Sequence, residues 1–207
     1  MTRRGILTVV SGFSGSGKGT IMKALIKKYN EYALSISATT RKPRVGEVHG
    51  REYFFKTHDE FEKMIDNEEL IEYANYVGNF YGTPSKYVED MLSRGKDVII
   101  EIEMVGALKV KKKIPDTLLL FVTPPTIEEL KKRLVGRGTE TIDVIESRIK
   151  RASDEADVMK DYDYLIINDC LEDTVETVHE IIKNEHLRGS RNAEFIDHLK
   201  DELKGEL

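Results

Sequence analysis

Gly12-Phe13-Ser14-Gly15-Ser16-Gly17-Lys18-Gly19-Thr20 is the stretch whose reading decides the fold. An apolar run, Ile6-Leu7-Thr8-Val9-Val10, precedes it, and a stretch with helical spacing, Ile21 to Tyr29, follows it. Strand, glycine-rich turn and helix in that order are the setting of a phosphate-binding loop. The glycines let successive backbone N–H groups point inward as an anion nest. The new helix adds its positive N-terminal end to the same spot. Lys18 adds a full charge with the reach to meet outer phosphates. A plain turn needs neither the lysine nor the two hydroxyls. Gly19 stands where a Ser or Thr usually follows the lysine and holds Mg²⁺, and Thr20 comes one position later. The ion is therefore expected to be held by phosphate oxygens, water and an acid elsewhere.

The chain of 207 residues suits one compact domain with small inserted lobes and is long enough to bury a sizeable core. Net charge is −5 and the basic residues are scattered, which argues against a nucleic-acid tract. The one cysteine, Cys170, excludes an internal disulfide framework and fits a reducing compartment. The five histidines have no zinc-like spacing. Met1 to Gly5 lead into a strand too short for a signal sequence, and no apolar run approaches membrane-spanning length. A cytoplasmic protein, with neither membrane nor nucleic acid as partner, is expected.

Taken in order, the chain alternates strands and helices with one interruption. A short strand, Ala33 to Ser37, leads into the loop Thr39 to Tyr53, where Arg41, Lys42 and Arg44 cluster. Tyr53-Phe54-Phe55 is extended, and Thr57 with Glu60 has capping-box spacing at the head of a helix. Leu70 to Val77 and Phe80-Tyr81 form a hairpin around Gly78-Asn79, and Ser85 starts a helix that ends at Arg94-Gly95. Asp97 to Glu103 reads as a strand that puts Glu101 and Glu103 on one face at its C-terminal end, where ligands bind in open parallel sheets. Thr117 to Thr123 is a buried parallel strand. Thr126 and Glu129 repeat the capping-box spacing, and residues 131–140 read as a mobile cationic segment. A long helix, Ile142 to Lys160, carries Ile145, Ile149, Ala152 and Ala156 on one stripe; Arg151 beside it reads as an ordinary surface pair. Tyr164 to Ile167 is the last strand, and Asp173 to Leu187 the last body helix. The tail from Arg188 has a weak apolar stripe, expected to pack on the body or on a neighbouring subunit.

A phosphate loop on the first strand implies a parallel sheet with helices on both faces. The basic loop at Arg41 and Arg44 looks like a second phosphate site, since arginine grips phosphate bidentately. Two phosphate sites imply transfer between two phosphorylated ligands.

With these residues in view, the chain resembles the guanylate kinase family over about Leu7 to Leu187. The resemblance is carried by the loop Gly12 to Thr20, Ser37 to Arg44, Gly46-Glu47, Tyr53-Phe54-Phe55, Ile71 to Ala74, Asn79 to Thr83, Gly136 to Thr139 and Ile167-Asn168-Asp169. It implies an α/β phosphate-loop kinase: a parallel-sheet core (about 1–36, 91–134 and 157–187), an inserted GMP-binding lobe (about 37–90), a lid (about 135–156) and a helical tail (188–207). It implies ATP-dependent, Mg²⁺-assisted phosphorylation of GMP, with dGMP as a further acceptor. Gly12, Phe13, Ser14, Gly15, Ser16, Gly17, Lys18, Gly19, Thr20 and Asn168 would bind ATP, with Asn168 near the adenine. Arg41, Arg44, Tyr53 and Tyr81 would hold the GMP phosphate, with Glu47 beside them. Ser37, Glu72, Gly82 and Thr83 would face the guanine, with Glu103 close by. Lys18, Arg41, Arg133, Arg137 and Arg148 would carry catalysis, and Glu101 would meet the metal through water. A homo-oligomer is left open.

Four positions depart from the family pattern. Val105 replaces a glutamine, Glu101 and Glu103 stand where aspartates are frequent, and Cys170 replaces an acid, as a packed thiol near the nucleotide. Two rivals compete with the enzyme reading. A non-catalytic scaffold module of the same fold would not need the intact loop, Lys18 and the lid arginines. A sugar-phosphate kinase would not need Ser37, Glu72 and Thr83.

Overall fold

The computed structural model describes residues 3–136 and 142–206. β1 (Leu7–Gly12) lies at the centre of a five-stranded sheet and ends in the glycine loop. α1 (Lys18–Lys28) leaves that loop and returns the chain to β2 (Tyr32–Leu34). The chain then crosses to a second, four-stranded sheet made of β3 (Ala38–Thr39), β4 (Phe54–Phe55), β5 (Leu70–Tyr76) and β6 (Asn79–Pro84). α2 (His58–Asp66) covers this small sheet, with Phe61, Ala38 and Leu70 as its buried centre. α3 (Ser85–Ser93) leads back to β7 (Asp97–Glu101), α4 (Met104–Lys113) and β8 (Leu118–Thr123). α5 (Ile127–Gly136), α6 (Ile142–Glu155) and a 3₁₀ turn over Ala156–Asp161 precede β9 (Tyr164–Ile167) and α7 (Leu171–Glu185). A last helix, α8 (Ala193–Gly205), follows.

The large sheet has the order β2-β7-β1-β8-β9, with every pair parallel. Its central strands are buried on both faces, and alternate residues go to opposite sides. Leu7, Val9, Val98, Ile100, Leu119 and Phe121 pack under α3, α4, α5 and α6. Ile6, Val10, Ile99, Leu118, Leu120 and Val122 pack under α1 and α7. Each such side chain, fully buried, contributes roughly 1.5–3 kcal/mol of transfer free energy before the entropy of ordering it is counted. The expected α/β architecture is therefore present, and the phosphate loop sits at the C-terminal edge of its central strand.

The structure redraws several boundaries. β2 stops at Leu34, three residues short of the expected end, because it is an edge strand paired only to β7. Ala38 and Thr39 belong to the other sheet, where they pair with β4 and β6. β7 ends at Glu101, and Glu103 occupies the N-cap position of α4, so the two acids do not share a strand face. Lys131 to Arg133 lie within α5 rather than in a loose segment. Arg137, Gly138, Thr139 and Glu140 lie outside the described residues. The long helix stops at Glu155, where a 3₁₀ turn takes over. The Thr57–Glu60 capping box is present in both directions. At Thr126 the hydroxyl accepts from the Glu129 N–H at 3.1 Å, while the Glu129 carboxylate is turned to Arg133. The stripe of α8 is exposed: Phe195 is 66% and Leu203 59% accessible. The tail is held instead at its start, where Arg191 reaches Asp116 and Glu185. Among the described residues, no helix is long and apolar enough to cross a membrane.

Candidate active site

Two neighbouring strands of the large sheet bring the loop and its carboxylate to one edge. β1 delivers the glycine loop, and β7, paired to it through Val10 and Glu101, delivers the carboxylate. Ser11 Oγ donates to the Ile102 carbonyl at 2.8 Å and ties the two strand ends together. Gly15 and Gly17 adopt φ of 92° and 96°, in the left-handed region. A Cβ on Gly17 would also lie 2.3 Å from Asn168 Nδ2, so the position is closed to other residues twice over. Lys18 is the first residue of α1 and donates to the carbonyls of Gly12 at 2.7 Å and Phe13 at 3.1 Å. Its ammonium thus bridges across the loop. A cavity of about 370 Å³ is lined by Ser14, Gly15, Gly17, Lys18, Gly19, Thr20, Lys23 and Glu101.

Asn168 is where the structure departs most from expectation. It is 7% exposed, its Nδ2 donates to the Ser16 carbonyl at 2.7 Å, and its Oδ1 accepts from Thr174 at 3.2 Å. The side chain is engaged in bracing the loop through these two bonds. Arg133 joins the same brace, donating to the Asn168 carbonyl at 3.0 Å while Glu129 holds its Nε at 2.8 Å. Cys170 is exposed, with its thiol donating to Glu172 at 3.4 Å, so it is not the packed thiol expected.

The small sheet carries the second group. Thr83 Oγ1 on β6 donates to Glu72 Oε1 on β5 at 2.8 Å. The β5–β6 register shifts between Leu70 and Tyr73, so Glu72 lies in an irregularity of the kind that re-aims a side chain. Burial pushes the Glu72 carboxyl above the usual carboxylate range, against the Thr83 hydrogen bond and the Lys109 charge. Gly82, beside it, permits close packing: a Cβ there would meet the Glu72 carbonyl at 2.9 Å and Phe61 and Tyr73 at 3.0 Å.

Arg41 lies over the rings of Tyr53 at 5.3 Å and Phe55 at 5.9 Å and donates to Glu47 at 2.9 Å. The Arg44 backbone N–H donates to the other Glu47 oxygen at 2.7 Å. Glu47 is held below the usual carboxylate range, first by Arg41 and then by that N–H. Tyr81 meets Tyr53 edge-on at 6.1 Å between ring centres. These six residues form one cationic and aromatic cluster, with Arg44 exposed at its edge. Ser37 borders it, giving its carbonyl to the Phe54 N–H at 2.9 Å.

Beside the loop lies a larger cavity of about 620 Å³. Its wall includes Gly12, Ser14 and Lys18 from the loop, Glu101 and Glu103 from the end of β7 and the head of α4, Tyr76 from the small sheet, and Arg148 and Arg151 from α6. Glu101 and Glu103 therefore share a cavity although they do not share a strand face. Arg148 donates to Ser14 Oγ, which brings α6 onto the phosphate loop. Arg151 makes its expected pair with Glu155 at 2.7 Å and an unexpected one with Glu103 at 2.8 Å. Nothing local in the sequence signals that second pair, because its partners are brought together by the packing of α6 over the strand ends. Among the described residues, no three His, Cys, Asp or Glu side chains form a metal-holding group.

A parallel sheet with an anion nest after its central strand, joined to a small sheet that carries a second basic site, defines a phosphate-loop nucleotide kinase. The guanylate kinase family model matches residues 4–185. The guanylate kinase of Lactococcus lactis is 50% identical over 99% of this chain and 100% of its own. That of Bacillus cereus is 51% identical over 98% of this chain and 99% of its own. Among solved structures, guanylate kinase from Anaplasma phagocytophilum is 31% identical with a TM-score of 0.72, covering 91% of this chain and 89% of that one. The chain belongs to the guanylate kinase family, enzymes that phosphorylate GMP with ATP.

Proposed function

We propose that this chain transfers a phosphoryl group from ATP to GMP across the cavity beside the loop. The observation that carries the reading is the half-buried Glu72 carboxyl held by the buried Thr83 hydroxyl. Guanine offers N1–H and N2–H donors beside an O6 acceptor. An ionised Glu72 accepts from those donors, and a hydroxyl such as Ser37 donates to O6. Adenine presents a lone pair at N1, so Glu72 would lose its partner, and an unpaired buried group gives discrimination of about 10⁴-fold in favourable cases.

The residue roles are those that the family resemblance implies, adjusted at Asn168 to the contacts described above. The loop Gly12 to Thr20 and Lys18 hold the ATP phosphates, and Asn168 supports that loop. Arg41, Arg44, Tyr53 and Tyr81 hold the GMP phosphate, with Glu47 fixing Arg41 against the rings. Gly82 and Thr83 back Glu72, and Glu103 takes the remaining donor of the base. Arg133, Arg137 and Arg148 bring positive charge to the transferring group, where positioning and charge supply most of the catalysis. Residues 37–90 form the acceptor lobe, 135–156 the lid, and the rest of 1–187 the core.

Mg²⁺ fits this donor set. A Cβ on Gly19 would lie 3.6 Å from Glu101 Oε2, so the acid faces the head of α1 next to Lys18 and Thr20. Glu101, through water, and Thr20 would hold the ion with the phosphates of ATP, as a hard cation with few protein ligands requires. Bound there, Mg²⁺ neutralises phosphate charge. A reducing, cytoplasmic setting suits the lone exposed thiol of Cys170.

A coupled ADP-release assay across GMP, dGMP, AMP, UMP and CMP tests the reading. Turnover with GMP alone or with GMP and dGMP is expected. Equal turnover of AMP would remove Glu72 from base recognition.

A further inference from the structure

Two arginines one turn apart on α6 reach different parts of the site. Arg148 donates to Ser14 on the phosphate loop. Arg151 donates through Nη2 to Glu103 Oε2 at 2.8 Å and through Nε to Glu155 Oε1 at 2.7 Å. An i,i+4 pair such as Arg151–Glu155 is an ordinary, weak support for a helix. The Glu103 contact is of another kind, since its partner stands 48 positions away at the head of a different helix. Glu155 is 24% exposed and anchors the guanidinium, while Glu103 is 68% exposed and borders the cavity. Glu103 occupies the N-cap position of α4, yet its side chain makes no capping hydrogen bond there. Arg151, not the helix amides, is what holds its carboxylate.

The chemistry of the acceptor gives that arrangement a purpose. Guanine carries three donor protons on one edge: N1–H and two on the 2-amino group. A single carboxylate, Glu72, spans N1–H and one amino proton side by side. The other amino proton needs a second acceptor. A glutamate can supply it, but ordering its long side chain costs rotamer freedom if nothing holds it beforehand. A guanidinium that takes one oxygen and leaves the other free removes that cost in advance.

We propose that Arg151 is a positioning and specificity-determining residue for GMP: it holds Glu103 Oε2 so that Oε1 is presented to the outer 2-amino proton of guanine. This rests on the reading of Glu103 as a guanine acceptor given above. Because Arg151 and Arg148 share α6, the same helix that meets the phosphate loop also sets the base acceptor.

The test uses the full chain as wild type, Arg151→Ala, Arg151→Lys, Glu103→Gln and the Arg151→Ala/Glu103→Gln double variant. KM for GMP is compared with the inhibition constant of IMP, which lacks the 2-amino group, and melting temperatures check folding. Arg151→Ala should raise KM for GMP about tenfold, change the IMP constant and kcat less than twofold, and be partly rescued by Arg151→Lys. In the Glu103→Gln background, Arg151→Ala should add nothing. Equal losses for GMP and IMP, or additive effects of the two substitutions, would overturn the proposal. If Glu103→Gln abolishes the preference for GMP over IMP while Arg151→Ala preserves it, Arg151 is overturned and the Glu103 reading stands. If Glu103→Gln leaves the preference intact, the Glu103 reading falls and takes the proposal with it.

Discussion

Thr83 Oγ1 donates to Glu72 Oε1 at 2.8 Å across the irregular part of the small-sheet hairpin. Burial nonetheless dominates and raises the Glu72 pKa. For a carboxyl raised by folding, the stability contribution is complete below the ordinary carboxylate range and is lost as pH climbs through the raised value. GMP recognition has the opposite requirement, because only the ionised form accepts from two donors. GMP binding should therefore strengthen as pH rises through that raised value, while the ligand-free chain loses stability over the same span. Glu72→Gln should raise KM for GMP about a hundredfold or more, leave KM for ATP within a few-fold, and raise the melting temperature of the ligand-free protein at neutral pH. Kinetics and thermal melts over a pH series check both halves. A KM for GMP that is flat with pH in the wild type counts against Glu72.

Asn168 backs the phosphate loop through the Ser16 carbonyl at 2.7 Å. Asn168→Ala removes that bond and the one to Thr174 inside the protein. The cost should be about 1–3 kcal/mol of stability, with KM for ATP up roughly tenfold and KM for GMP unchanged. Calorimetric titration with a non-hydrolysable ATP analogue checks the split. Undiminished affinity for the analogue would make the brace purely structural.

What was legible in the sequence was local. The glycine loop, the buried run read as Thr117 to Thr123 and the Thr57–Glu60 box each announce themselves within a few residues; the strand starts one residue later, at Leu118, and the box forms in both directions. The crossing of the chain into a second sheet at Ala38 was not legible, because two extended residues look the same whichever sheet they join. Nor was the irregularity at Glu72, which exists only as a mismatch between β5 and β6. Asn168 was placed near the adenine only by the family resemblance, and nothing local in the sequence announces its role in bracing the loop. Its true partners, Ser16 and Thr174, lie 152 and 6 positions away and are set by packing. Arg151 hid behind its legitimate i,i+4 partner Glu155.

Lys18 bridges the Gly12 and Phe13 carbonyls from the first position of α1. Its charge sits where developing negative charge on the transferring group needs a fixed donor. Lys18→Ala should lower kcat roughly 10³-fold, the upper end for loss of one preorganised donor. The fold should survive, since the sheet packs without it. Circular dichroism and the ADP-release assay together check this. Turnover within tenfold of wild type would show that the loop lysine is not part of the chemistry.

Val77 and Gly78 form the two-residue tip between β5 and β6, with φ of 49° and 73°. Positive φ at both positions is the geometry of a type I′ turn, which favours Asn-Gly. A β-branched residue held there is strained by on the order of 1 kcal/mol or more. Val77 is 80% exposed, so replacing it forfeits little packing. Val77→Asn should stabilise the protein by about 1 kcal/mol, a rise of about 2–4 °C in melting temperature for a chain of this size. The hairpin register also sets Ala74 opposite Tyr81 and Tyr73 opposite Gly82, one residue before Thr83. Relieving the tip should keep that register, so KM for GMP should stay within twofold. A fall in melting temperature would mean that the strain is offset by contacts of Val77 itself, and a raised KM that the strained tip helps to place Thr83 against Glu72.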